Sequence, residues 1–241
     1  MEVHHHPQKE RKKWTHYLWE FLMLFLAVFS GFLAENIREH NVEKERGLQY
    51  IHSFKEDLKT DTVQYSLIID ELTKKKVVLN NIFTCFDSIT DNIKSTECLK
   101  EIILNSRGFT DFIYTDRTIQ QLKYAGGLRL IQDKEINDSI ISYDALVRSM
   151  QIHQDVLENQ QQISINEHCS MIDFISLCKN NNPDSNHKLF LLTKDNRELN
   201  KYFSEIFMFG RGCSQQLRLM KELKAKASRL ILFLNKKTES L

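Results

Sequence analysis

Proline is nearly absent from this sequence. Of 241 residues only Pro7 and Pro183 are proline, where average usage gives about 12. Glycine is scarce too, at seven against an expected ~17. Residues 8–182 contain no proline at all. A chain with so few breakers is poor in turns and suited to long helices. These absences exclude collagen-like, low-complexity and disulfide-dense classes. A strong charge bias is also missing. The net charge is +1, and residues 1–13 contribute +2, which leaves −1 for the rest. A near-neutral body does not attract phosphate backbones over long range, so nucleic acid is not expected as a partner.

Recognisable catalytic or metal-binding spacing is absent as well. The five cysteines, Cys85, Cys98, Cys169, Cys178 and Cys213, form no CxxC pair, so neither a zinc knuckle nor a redox motif is read. Each is expected to be a core cysteine, and the odd count leaves at least one thiol unpaired. A helix running on to Cys178 would put Cys169 and Cys178 about 13 Å apart, too far for a bridge. The histidines show no HExxH spacing. His4, His5 and His6 are adjacent and could chelate a transition metal. A tail lacks the outer shell that tunes such a site, so they are read as solvated. Gly126-Gly127 is a helix break rather than a phosphate cradle. Gly210-Arg211-Gly212, inside a helical pattern, points to close helix packing, since each glycine there costs roughly 1 kcal/mol against alanine. No catalytic residue, cofactor or metal ligand is expected, and the chain is not read as an enzyme.

What the sequence does contain is one long apolar run. Phe21 to Ala34 carries no charge, and extension back to Trp14 gives 21 residues with Glu20 as the single charge. That is long enough to span a bilayer. Trp14, Tyr17 and Trp19 would form an aromatic belt at one interface, with Phe21, Phe25, Phe29 and Phe32 within the span. Nine Leu, Phe or Val residues in the run favour insertion by about 3–5 kcal/mol in total. The competing readings are a buried core helix and a cleaved signal peptide. The second would need a better small-x-small site than Val28-Phe29-Ser30. The basic flank Arg11-Lys12-Lys13 directs the N-terminus to the cytoplasm and the body outside it. The expected organisation is a short basic, His-rich tail (1–13), a transmembrane anchor (14–34) and a helical extramembrane domain (35–241).

Beyond the anchor, Leu48, Ile51, Leu58, Tyr65, Ile69, Leu72 and Leu79 recur at helical spacing. The rod should break near Asn80 or Asp87. A short helix is expected over Thr96 to Leu104. Another should begin at Thr115 or Asp116 and end at Gly126-Gly127. Asp133 should cap a helix with the face Ile136, Ile140, Tyr143 and Val147, reaching Cys178. Asn180 to Asp184 reads as a loop. The last helix starts near Asp195 and carries a seam from Leu199 to Leu234, suited to coiled-coil-like packing. The expected fold is all-α: a single N-terminal transmembrane helix followed by an elongated antiparallel helical bundle.

Two segments carry a resemblance. Gly31-Phe32-Leu33-Ala34-Glu35-Asn36-Ile37-Arg38-Glu39-His40 and Thr118-Ile119-Gln120-Gln121-Leu122-Lys123-Tyr124-Ala125-Gly126-Gly127-Leu128-Arg129-Leu130-Ile131, with the His- and Lys-rich start, resemble uncharacterised single-pass membrane proteins of Bacteroidota. The resemblance covers the anchor and residues 116–145. It implies a place in the cell envelope and carries no activity.

One surface stands out. Residues 211–237 hold eight basic residues against Glu222 alone. Arg218, Lys221, Lys224, Arg229 and Lys236 are candidates for docking an acidic partner or anionic lipid. Three long helices running up, down and up would place that end far from the membrane. If short helices change the parity, it would face the lipid. The functional expectation is a non-catalytic, membrane-anchored interaction or scaffold protein of the bacterial inner membrane. It would have the bilayer and a protein partner, or a second copy, as its contacts. The alternative is a ligand-binding sensor that signals through a partner membrane protein.

Overall fold

The computed structural model describes residues 14–87, 92–108, 111–173, 175 and 191–239. The N-terminal tail, with His4 to His6, and the Asn180 to Asp184 loop lie outside them. Helix α1 runs unbroken over Trp14–Asn80, and α2 follows at once over Ile82–Asp87. Helix α3 covers Asn92–Ser106 and α4 Arg117–Tyr124, with a 3-10 turn at Gly127–Leu130. The two remaining long helices are α5 (Lys134–Met171) and α6 (Asn196–Glu239). The only β pairing among the described residues is a single bridge, Ile172 to Leu191. The protein is all-α, with one long apolar N-terminal helix leading into further helices.

The body has four legs. Helix α1 runs away from its apolar end. The second leg returns alongside it: α3, then an extended stretch, then α4 and the 3-10 turn. Contacts follow this order down α1. Lys75 binds the end of α3, Gln64 pairs with Ile113, Asp61 with Thr115, Asp57 with Thr118, and Gly47 abuts Leu130. Helix α5 then runs up, with Tyr143 level with Tyr65. Helix α6 runs down, with Gly210 against Leu79 and Asn235 against Lys55. Of the two parities left open by the sequence, the structure takes the one in which the short helices count. The short pieces build a full leg because each is tied to α1, and the basic end of α6 points back towards the apolar N-terminal segment.

The seams expected from periodicity form the core. Every α6 position from Leu199 to Leu234 in the 3-4 series is buried, as are Ile136, Ile140, Tyr143 and Val147 of α5. On α1, Ile51, Leu58, Tyr65, Leu72 and Leu79 of the expected seam are at most 2% exposed, whereas Leu48 and Ile69 are only half-buried and Phe54 and Ile68 fill core places that were not expected. The Asp133 carboxylate caps α5, accepting from the backbone N–H of Glu135 (2.8 Å) and Ile136 (3.2 Å), as an N-cap should. Helix α5 stops at Met171 and does not reach Cys178, since Ile172 turns extended to pair with Leu191. The distance argued for Cys169 and Cys178 on one helix loses its basis, and Cys178 itself lies outside the described residues.

Candidate interaction surfaces

The anchor residues all lie on the free part of α1. Trp14, Tyr17, Trp19, Phe21, Phe25, Phe29 and Phe32 are exposed, and no residue from 14 to 41 is buried against the body. The segment is long and apolar enough to cross a membrane. Phe21, Phe25 and Phe29 stack along one side, with centroids 6.3 and 5.9 Å apart, because four-residue spacing returns to the same face. A continuous apolar surface of this length has to be covered by something.

Residues 35–46 follow as a polar neck, Glu35 to Arg46, about 18 Å long at 1.5 Å per residue. The body begins at Gly47, the first buried residue. A methyl at Gly47 would drive into the Leu130 carbonyl, so only glycine lets the 3-10 turn close on α1 here.

The basic candidates fall on the outer side of α6. Arg218, Lys221, Arg229 and Lys236 are exposed and Lys224 is half-buried. None of the five makes an ion pair with a described residue. Lys226 and Lys237 are engaged instead. Lys226 donates to the Ser142 carbonyl (3.1 Å) and hydroxyl (2.7 Å), and Lys237 pairs with Asp133 (2.8 Å) and Glu135 (2.6 Å). That end of α6 points to the anchor but does not reach it. Asn235 is level with Lys55 (2.9 Å between side chains). Lys55 lies 20 residues beyond Glu35, about 30 Å along α1. With a Debye length of ~8 Å, the basic residues would lie outside the field of any charged surface at the level of Glu35.

Sequence reasoning missed a buried polar network between α1, the second leg and α5. Asp57 and Asp61 are 1% exposed. Asp57 accepts from Arg117 Nε (2.7 Å) and from the Thr118 backbone N–H (3.2 Å). It therefore caps α4 from another helix, while Asp116, the expected cap, spends its carboxylate on Gln120. Asp61 accepts from the Thr115 N–H (3.1 Å) and the Tyr143 hydroxyl (3.0 Å), and the Tyr143 and Tyr65 hydroxyls are 2.9 Å apart. Burial pushes the Asp61 carboxyl up despite these bonds. Burial raises Asp144 too, but hydrogen bonds from Arg148 and Lys123 hold it below the usual carboxylate range. A signal existed: Leu58 to Tyr65 skips one step of the 3-4 series, and Asp61 fills it. Lys75, also buried, donates to the carbonyls of Asn105 (3.1 Å), Arg107 (3.1 Å) and Gly108. These are the open carbonyls at the end of α3. The network fastens the second leg.

The cysteines divide differently from expectation. Cys85 and Cys98 form a disulfide, Cα atoms 5.6 Å apart, joining α2 to α3. The expectation of core cysteines holds for Cys85, which is buried, while Cys98 is half-buried, and the spacing of the two gave no sign of their pairing. Cys213 is buried and its thiol is pushed up to about 12 by burial, whereas Cys169 is exposed. His168 is buried on α5. Its Nδ1 lies 2.8 Å from the Tyr202 hydroxyl, and burial, with Arg107 nearby, lowers it to about 4. Gly210 and Gly212 serve close packing, against Leu79 and Leu157. No group of three or more metal-binding side chains occurs among the described residues.

No family model, curated protein or solved structure matches the chain. Its functional reading rests on its own geometry.

Proposed function

We propose that this is a non-catalytic, membrane-anchored interaction protein that holds a helical body off the outer face of the bacterial inner membrane. The observation that carries the reading is one unbroken helix. Helix α1 passes from a wholly exposed apolar segment, through a polar neck, into the core of the body. Such a helix fixes the body to its anchor at a set height, which suits a protein that presents a surface. The core seams are filled, and apolar side chains such as Ile152, Val156 and Met208 remain exposed outside them. That favours a presented surface over a ligand chamber within the bundle. The Cys85–Cys98 bridge supports a body in an oxidising compartment, in agreement with the basic flank at Arg11-Lys12-Lys13. The resemblance of residues 31–40 and 118–131 to envelope proteins of Bacteroidota supports the same placement.

The test uses the full chain in cells. Alkaline carbonate should leave the protein in the membrane fraction, and detergent should release it. An alkaline phosphatase fused after Leu241 should be active. Release by carbonate would remove the anchor, and an inactive fusion beside a fluorescent cytoplasmic one would invert the topology.

A further inference from the structure

A long groove runs between α5 and α6 on the outside of the body. Two hollows mark it. One, of about 690 Å³, has Leu146, Leu230 and Phe233 as floor, with Ser142, Lys226 and Arg229 on its walls. The other, of about 410 Å³, lies over Leu157 and Gly212 and is bounded by Val156, Met208 and Arg211. Their α5 residues run from Asp138 to Gln160 at three- and four-residue spacing, so both hollows open on one face. The groove is about 33 Å long at 1.5 Å per residue, the length of a 22-residue helix.

Its two walls differ in chemistry. On α6, Arg211, Arg218 and Arg229 are spaced 7 and 11 residues apart. Both intervals return to nearly the same side of a helix. All three are exposed and unpaired with described residues, and Lys236 continues the row. Glu222 is the one acid among the α6 residues lining the hollows. On α5 the hollows are lined by Ser139, Ser142, Leu146, Val156 and Leu157, with Asp138 the one acid there, and exposed Ser149 lies between the two hollows at the same helical spacing. Serines let another backbone come close, and the basic row of Arg211, Arg218, Arg229 and Lys236 on α6 outweighs the acids Asp138 and Glu222.

We propose that this groove receives an amphipathic helix of a partner protein, its apolar seam on the floor and an acidic flank against the arginine row. This rests on the reading of the body as a presented surface and names the partner's chemistry. Charge complementarity selects the occupant. A second copy would bring no free helix of this kind, because the apolar seams of α1, α5 and α6 are spent on the core. Lipid at the Glu35 level lies about 30 Å from the nearer end. A bare phosphate backbone would leave the apolar floor uncovered.

The test uses the full-length protein in nanodiscs and two fluorescein-labelled 22-residue helical peptides. Both carry a leucine seam. One has glutamates along one flank, the other lysines at the same places. The acidic peptide should bind roughly tenfold tighter at low salt, and the gap should narrow as salt rises. Arg211→Glu/Arg218→Glu/Arg229→Glu should reverse the preference, and Ser149→Trp should abolish binding of both. Equal binding of the two peptides, binding of neither, or indifference to Ser149→Trp would overturn the proposal. In cells, a photo-crosslinker at Ser149 should capture a peptide with an acidic helical flank, in a charge-reversal-sensitive way. Capture of lipid, nucleic acid or a second copy at Ser149 would also overturn it. A partner captured only from Lys59, on the exposed side of α1, would sink the groove while leaving the scaffold reading intact. Failure of carbonate resistance would sink the anchor alone.

Discussion

His168 shows how much a single residue owes to its surroundings. On sequence it is one histidine among nine, with no informative spacing. In the fold its ring is buried, Nδ1 meets Tyr202, and Nε2 has no hydrogen-bond partner among the described residues. With the group held near 4 in the folded state, the unfolded chain takes up the proton first, below about 6.5. Stability should therefore fall as pH drops from about 6.5 towards 4, by about 1.4 kcal/mol per pH unit from this residue. Urea melts of the detergent-solubilised protein at pH 7 and pH 5 should show the loss. In His168→Phe the difference between the two pH values should shrink by about 2 kcal/mol, since the loss accrues only below about pH 6.5. Asp61, raised by burial, acts with the opposite sign, but it is present in both proteins and cancels in the comparison. An unchanged pH dependence would mean that His168 is solvated. Asp57 and Asp61 make the same point. Their places in the buried seam were readable from the spacing, but their partners Thr118, Arg117 and Thr115 were not, because those lie about 60 residues away.

At the scale of elements, glycine decides which helices approach closely. Gly47 faces the Leu130 backbone, Gly210 the Leu79 Cβ at 3.0 Å, and Gly212 only the mobile end of Leu157 at 2.7 Å. A carbonyl cannot step aside as a side-chain methyl can. Gly47→Ala should therefore push the 3-10 turn off α1 and destabilise by about 2 kcal/mol or more. Gly212→Ala should be near neutral, since a small shift of Leu157 is offset by the helix propensity of alanine, worth up to about 1 kcal/mol. Urea midpoints of the two variants should rank in that order; equal midpoints would mean the second leg does not rest on Gly47. The long helices were legible because their signals are local: periodicity, caps and the absence of proline. The Asn80 break and the Asp133 cap came from the same signals. The end of α5 was not, because the helix stops at Met171 where Ile172 turns extended to pair with Leu191, which no local pattern announces.

For the whole molecule, the consequence that matters is direction. The second leg reverses the parity expected from three long helices, so α6 returns towards the neck. Carbodiimide coupling reads this directly. Lys237 should couple to Asp133 or Glu135, and Lys201 to Glu167, at 2.6–2.8 Å between charged atoms. Peptide mapping that recovered neither link would refute the antiparallel α5–α6 pair. The sequence by itself determined the all-α class, the apolar N-terminal run, the buried seams and most helix starts, because each depends on residues within a few turns of one another. Tertiary structure alone decided that Cys85 meets Cys98 and that a carboxylate on α1 caps α4. It also decided that a basic row on α6 stands beside hollows floored by Leu146, Leu157, Leu230 and Phe233. Those outcomes depend on which faces meet across tens of residues, and a 3.6-residue period describes one face without saying what lies opposite it.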